Sequence, residues 1–107
     1  MSMIHHGKLV RDRIPEIIRA SGKTCTTRTL TPDEAIPALD AKLSEELQEY
    51  LADGSLEELA DLLEVMMAVT AARGHAFSEV EDLRRRKADA RGGFTQRIWL
   101  ESVEAAD

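Results

Sequence analysis

The sequence predicts a mainly α-helical domain with at most a small two-stranded β-ribbon. Three observations carry that expectation. The chain is 43% hydrophobic but only 4% aromatic, so Leu, Ile, Val, Ala and Met must build the core, and that composition suits packed helices better than a β-sandwich. Ser/Thr-x-x-Glu sequences at Thr31, Ser55 and Ser78 mark helix starts. Between them, apolar residues recur at helical spacing. The 107 residues suffice for one domain with a modest core, and residues 1–107 are expected to form it.

The elements follow in order. "RDRIPEIIRASG" predicts a short helix, with Pro15 tolerated in its first turn and Gly22 stopping it. Thr24 to Leu30, "TCTTRTL", is β-branched and alternating, which predicts a strand. Thr31-Pro32-Asp33-Glu34 is a capping box with Pro at the first helical position. The helix it opens runs to about Ala52, and Pro37 predicts a kink in it or its division into two pieces. After the tight connection "ADGS", the box Ser55-x-x-Glu58 opens a helix to about Arg73, ended by Gly74. The box Ser78-x-x-Glu81 opens another to about Arg91, before Gly92-Gly93. "FTQRIWLESV" alternates like a strand, so that residues 94–101 could pair with residues 24–30.

Bulk properties exclude several classes. The net charge of −6, from 14 basic and 20 acidic residues, disfavours a nucleic-acid polymer as partner. A small phosphorylated ligand stays compatible if basic residues cluster or a metal intervenes. One cysteine, Cys25, excludes an intrachain disulfide and a Cys-rich zinc site, and fits a reduced, cytoplasmic setting. No apolar run is long enough for a membrane span, and "MSMIHHGKLVRD" lacks the apolar core of a signal peptide. His5-His6 reads equally as a cloning remnant or as natural sequence.

Helical phase singles out the acids around "ADGS". At about 100° per residue, Leu39, Leu43, Leu47 and Tyr50 form one stripe and Glu46 falls inside it. Lys42 and Glu49 lie on its rim, and Glu45 is further round toward solvent. A carboxylate within an apolar face is costly unless paired or bound to metal. On the next helix, Leu56, Leu59, Leu63, Met66, Met67 and Thr70 make one face, and Val65, Ala68, Val69 and Ala72 a second. Only Glu57, Glu64 and Ala71 align as a stripe for water, so this helix is expected to be buried on more than one side. Glu58 and Asp61 share the Val65/Ala72 face.

Folding the two helices into an antiparallel hairpin brings residues equidistant from the turn together. Glu49 then faces Glu58, and Glu46 faces Asp61 one turn further out. Four half-buried carboxylates repel unless protons or cations intervene. An all-oxygen set suits Mg²⁺ or Mn²⁺ rather than zinc. A ferritin-like di-iron site would need Glu-x-x-His pairs, and His5, His6 and His75 occupy no such positions. The bland alternative makes Glu58 a capping-box residue and the remaining glutamates a solvated helix surface.

On the last helix, Val80 and Leu83 mark an inward side that also carries Arg84, Lys87 and Arg91. These cations either pair with the acidic cluster or hold phosphates. "KLVRDRIP" adds Lys8, Arg11 and Arg13, with no phase to choose among them.

These residues resemble a known family. "EELQE" and "EELAD" resemble the Glu-Glu-x-x-Glu and Glu-x-x-Asp motifs of MazG-like proteins, the all-α nucleoside triphosphate pyrophosphohydrolases. The pattern from Lys42 to Glu49, K-x-x-E-E-x-x-E, is also similar to phosphoribosyl-ATP pyrophosphohydrolase, a relative in histidine biosynthesis. "KLVRDRIPEII" and "RGGF" match a small MazG-like subgroup often labelled by that name, so the resemblance spans nearly the whole chain. It implies a MazG-like helical bundle with Glu46, Glu49, Glu58 and Asp61 as magnesium ligands and Glu45 as an adjacent acid. Lys42, Lys87 and Arg91 become candidates for phosphate contact. One departure stands out: eight residues separate Glu49 from Glu58, fewer than in many members, which trims the loop that would shape a base pocket.

The function so implied is Mg²⁺-dependent cleavage of a nucleoside triphosphate between the α- and β-phosphates, giving a monophosphate and pyrophosphate. Glu45 or Glu49 would orient or deprotonate the attacking water. The family's habit of assembling as dimers or tetramers implies self-association, which the two apolar faces of helix 56–73 also favour. The alternatives are phosphoribosyl-ATP hydrolysis and a non-catalytic helical dimerisation or regulatory module whose acids pair with Arg84, Lys87 and Arg91.

Overall fold

A computed structural model describes residues 7–106 of the chain, which leaves His5-His6 outside it. Among the described residues there are four α-helices and no strand: α1 (Ile14–Ala20), α2 (Pro32–Asp53), α3 (Leu56–Ala72) and α4 (Phe77–Arg91). They fall into two compact units, one ending at Ala76 and the other starting at Phe77.

Local chemistry explains the boundaries in the first unit. Thr31 caps α2 with a complete box: Glu34 N–H donates to Thr31 Oγ1 at 3.2 Å, and Thr31 N–H donates to the Glu34 carboxylate at 3.0 Å. The second of these bonds holds the Glu34 carboxyl below its ordinary pKa, with the Arg28 guanidinium helping. Of the kink or division expected at Pro37, the division does not occur, because α2 runs through it as one helix. Proline there forgoes only one backbone hydrogen bond, near the capped end. Gly54 stops the helix at φ +69°, where its N–H donates to Tyr50 O at 2.7 Å. That left-handed conformation is one a Cβ disfavours, so glycine suits the turn.

Ser55 caps α3 by accepting from Glu58 N–H at 3.3 Å. At the far end, His75 N–H reaches Thr70 O and Gly74 N–H reaches Ala71 O, with Gly74 at φ +85°. This bond pair is a Schellman stop. Thr70 is accommodated on α3 by donating its hydroxyl to Met66 O at 2.8 Å.

Helices α2 and α3 pack on each other as an antiparallel hairpin, with Arg73 at the end of α3 bonded to Asp40 of α2 at 2.9 Å. Its core is thin. Val65 is the buried hydrophobic residue, supported by half-buried Leu39, Leu43, Leu62, Ala68, Val69 and Ala72. The other apolar face of α3 is exposed: Leu56 is 82% exposed, and Leu59, Leu63, Met66 and Met67 are also exposed.

The β-ribbon is not formed, since neither 24–30 nor 94–101 is a strand. Cys25 instead meets α1, its thiol donating to Pro15 O and its carbonyl accepting from Arg19. In residues 94–101, Arg97 N–H donates to Phe94 O at 3.1 Å and Arg97 sits at φ +54°. That turn interrupts the alternating run, and a two-stranded ribbon is marginal even when uninterrupted. In the second unit, α4 starts at Phe77, so Ser78 lies inside the helix rather than before it. Its tail leaves Phe94, Ile98, Trp99, Leu100 and Val103 largely exposed.

Candidate metal centre

The hairpin brings the acids of α2 and α3 together. Carboxylate oxygens of Glu46, Glu58 and Asp61 lie within 4.8 Å of one another, and those of Glu45, Glu46 and Glu49 do likewise. Glu46 belongs to both groups and is their most buried member, at 6% exposure. The helical phase that placed it within the apolar stripe of α2 explains that burial. Glu58 and Asp61 follow from the Val65 face of α3, with Ser55 setting where that helix begins.

Glu58 separates the two readings of its motif. Only half of the expected capping box forms, because its backbone N–H bonds to Ser55 but its carboxylate does not return to the cap. The carboxylate turns to Glu46 and Asp61 instead, and its Oε2 is buried with no hydrogen-bond partner. Glu46 Oε2 is orphaned in the same way. Buried carboxylate oxygens without partners are rare and costly.

Two cations sit at the edge of the cluster. Lys42 Nζ lies 3.2 Å from Glu46 Oε1 and 3.4 Å from Glu45 Oε1, with its side chain only 18% exposed. Arg11 Nη2 donates to Asp61 Oδ1 at 2.6 Å. Burial and the neighbouring Glu49 push the Glu46 carboxyl above its ordinary pKa, against the pull of Lys42. Burial also works against the Lys42 ammonium, but its bonds to Glu46 and Glu45 prevail and raise its pKa.

The sequence-derived residues therefore divide. Glu46, Glu58 and Asp61 converge, while Glu49 joins through Glu46 and is exposed. Glu45, expected toward solvent, is half-buried and lies 3.4 Å from Lys42 Nζ. Lys42, a candidate for phosphate contact, is engaged by carboxylates. Lys87 and Arg91 are exposed residues of α4 in the second unit, and Lys87 lines a shallow concavity there with Val80, Leu83 and Arg84. Arg11 was beyond sequence reasoning, since the segment before α1 carries no periodicity to reveal its direction.

The donor set fits a hard divalent cation. All its members are carboxylates, and two buried oxygens await a partner. Fold and site together define an all-helical protein, among the described residues, with a carboxylate cluster at the turn of a helical hairpin. Among known proteins, no family model matches the chain and no solved structure matches it. A 54-residue stretch is 59% identical to an uncharacterized protein of Mycolicibacterium smegmatis, covering 47% of this chain and 55% of that protein. The chain thus spans about half the length of the curated relative it matches.

Proposed function

We propose that the chain is a Mg²⁺-dependent nucleoside triphosphate pyrophosphohydrolase, with Mn²⁺ an acceptable substitute, cleaving between the α- and β-phosphates. The observation that carries this reading is the pair of orphaned oxygens, Glu46 Oε2 and Glu58 Oε2, buried inside a cluster of acids. The resemblance of the acidic motifs to MazG-like enzymes supplies the reaction.

Glu46, Glu58 and Asp61 are the residues to hold the cation, with Glu49 completing the set from the exposed side. When bound, Mg²⁺ supplies positive charge against phosphate oxygens and acidifies water. Glu45 or Glu49 orients the attacking water and accepts its proton as the new P–O bond forms. The bridging oxygen between the α- and β-phosphorus leaves with the other fragment. Lys42 opposes the burial that favours a protonated Glu46 and so helps preserve the ligand set. Lys87 and Arg91 stay candidates for phosphate contact on the sequence resemblance alone, and self-association as a dimer or tetramer belongs to the same proposal.

One observation favours a rival. Lys42 and Arg11 already neutralise part of the cluster, as they would in a non-catalytic helical module. Pyrophosphate release over a panel of nucleotides, phosphoribosyl-ATP included, decides between them. The parent should turn over at least one nucleotide with Mg²⁺, and Glu58→Gln should lose at least about tenfold. No turnover by the parent, or an unchanged rate in Glu58→Gln, would falsify the mechanism.

A further inference from the structure

The segment before α1 delivers one cation to the carboxylates. Arg13 turns away to Glu16 at 3.4 Å, whereas Arg11 reaches Asp61. The base of Arg11 is fixed, since its carbonyl accepts from Ile14 N–H at 3.0 Å in the turn leading into α1. Its head is not enclosed: the side chain is 57% exposed and bonds the cluster through Nη2. A guanidinium carries five N–H donors, so others stay available.

Charge makes this contact notable. Five carboxylates, from Glu45, Glu46, Glu49, Glu58 and Asp61, meet two cations, Lys42 and Arg11. Lys42 is enclosed and held by two acids, while Arg11 is exposed and held by one. Arg11 is therefore the cation that leaves at least cost, and Asp61, which it would release, clusters with Glu46 and Glu58, whose Oε2 atoms have no hydrogen-bond partner.

We propose that Arg11 is a movable counter-charge of the site. It holds Asp61 while the carboxylates lack a metal, and it passes to the oxygens of a triphosphate once a divalent cation engages them. This rests on the hydrolase reading above. A guanidinium and a divalent cation compete for the same carboxylate oxygen, and phosphate offers the freed guanidinium a partner of matching geometry.

The test is calorimetric, on the full chain with Arg11→Ala and Arg11→Lys. Each protein is titrated first with Mg²⁺ alone, then with inorganic tripolyphosphate at saturating Mg²⁺, a probe that needs no knowledge of the base. Arg11→Ala should bind Mg²⁺ about two- to fivefold more tightly, because a competing cation is gone and the exposed pair limits the gain. It should bind tripolyphosphate about tenfold more weakly, and Arg11→Lys should recover part of both changes. A merely structural Arg11 would weaken both ligands together, and that result, or an unchanged Mg²⁺ affinity, overturns the proposal. A parent chain that fails to bind Mg²⁺ overturns the hydrolase reading itself. A parent that binds it with Arg11→Ala indistinguishable overturns the role of Arg11 alone.

Discussion

Glu46 carries the strongest conflict between burial and charge among the described residues. Its carboxyl titrates above the ordinary value of 4.5, mainly because it is buried and secondly because Glu49 is near. A raised pKa means that the folded state favours the protonated acid. The contribution to stability is then full below the ordinary value and is lost as the pH rises through the raised one. A metal ligand must be ionised, so cation binding gains over the same window. The melting temperature without metal should therefore fall across that window while the increment from Mg²⁺ grows. At pH 8 a concentration of Mg²⁺ near 100 times its Kd should add about 2.7 kcal/mol of stability. Glu46→Gln or Asp61→Asn should abolish the increment at every pH. Thermal melts with and without Mg²⁺ over a pH series check this, and an increment preserved in both variants would remove these residues from the ligand set.

At the scale of elements, the hairpin depends on a single glycine for its turn. A Cβ built on Gly54 meets nothing within 4 Å, so space is not the constraint, whereas φ +69° is. Gly54→Ala should cost about 1–2 kcal/mol through backbone strain, and it should weaken Mg²⁺ binding because the turn sets the register of Glu46 against Asp61. Thr31→Ala should cost about 1 kcal/mol through the lost cap and leave Mg²⁺ affinity unchanged, since that cap lies at the far end of α2. Denaturation and metal titration on both variants separate turn from cap, and equal metal affinity in the two would contradict the register argument. The same hairpin shows how much was legible in advance. Periodicity put Glu46 on the apolar stripe of α2, and Glu58 and Asp61 on the Val65 side of α3, because helical phase is a local property of the chain. The caps at Thr31 and Ser55 were legible for the same reason. The possible ribbon did not form because alternation shows what a strand could present, not whether a partner ladder exists, and the Phe94–Arg97 turn competed. Arg11 stayed illegible because its direction is set by tertiary contact alone.

At the scale of the whole molecule, apolar side chains stay exposed. Within the first unit alone, α3 exposes Leu56, Leu59, Leu63, Met66 and Met67, and α2 adds Leu47 and Leu51. A contiguous apolar face of this kind on an otherwise charged hairpin is unstable in water without a cover. The expected cover is a second copy of the chain, through which a symmetric contact hides the same face twice. Light scattering at micromolar concentration should then give a mass at least twice 11.9 kDa. Leu63→Glu is the sharper check. Leu63 is already 48% exposed in the single chain, so a charge there should disturb the hairpin little while opposing assembly. The variant should scatter at a lower mass and melt earlier than the parent, with the gap widening on dilution of the variant before the parent. A parent that scatters as a single 11.9 kDa chain and melts at a concentration-independent temperature would show that the α3 face needs no second subunit.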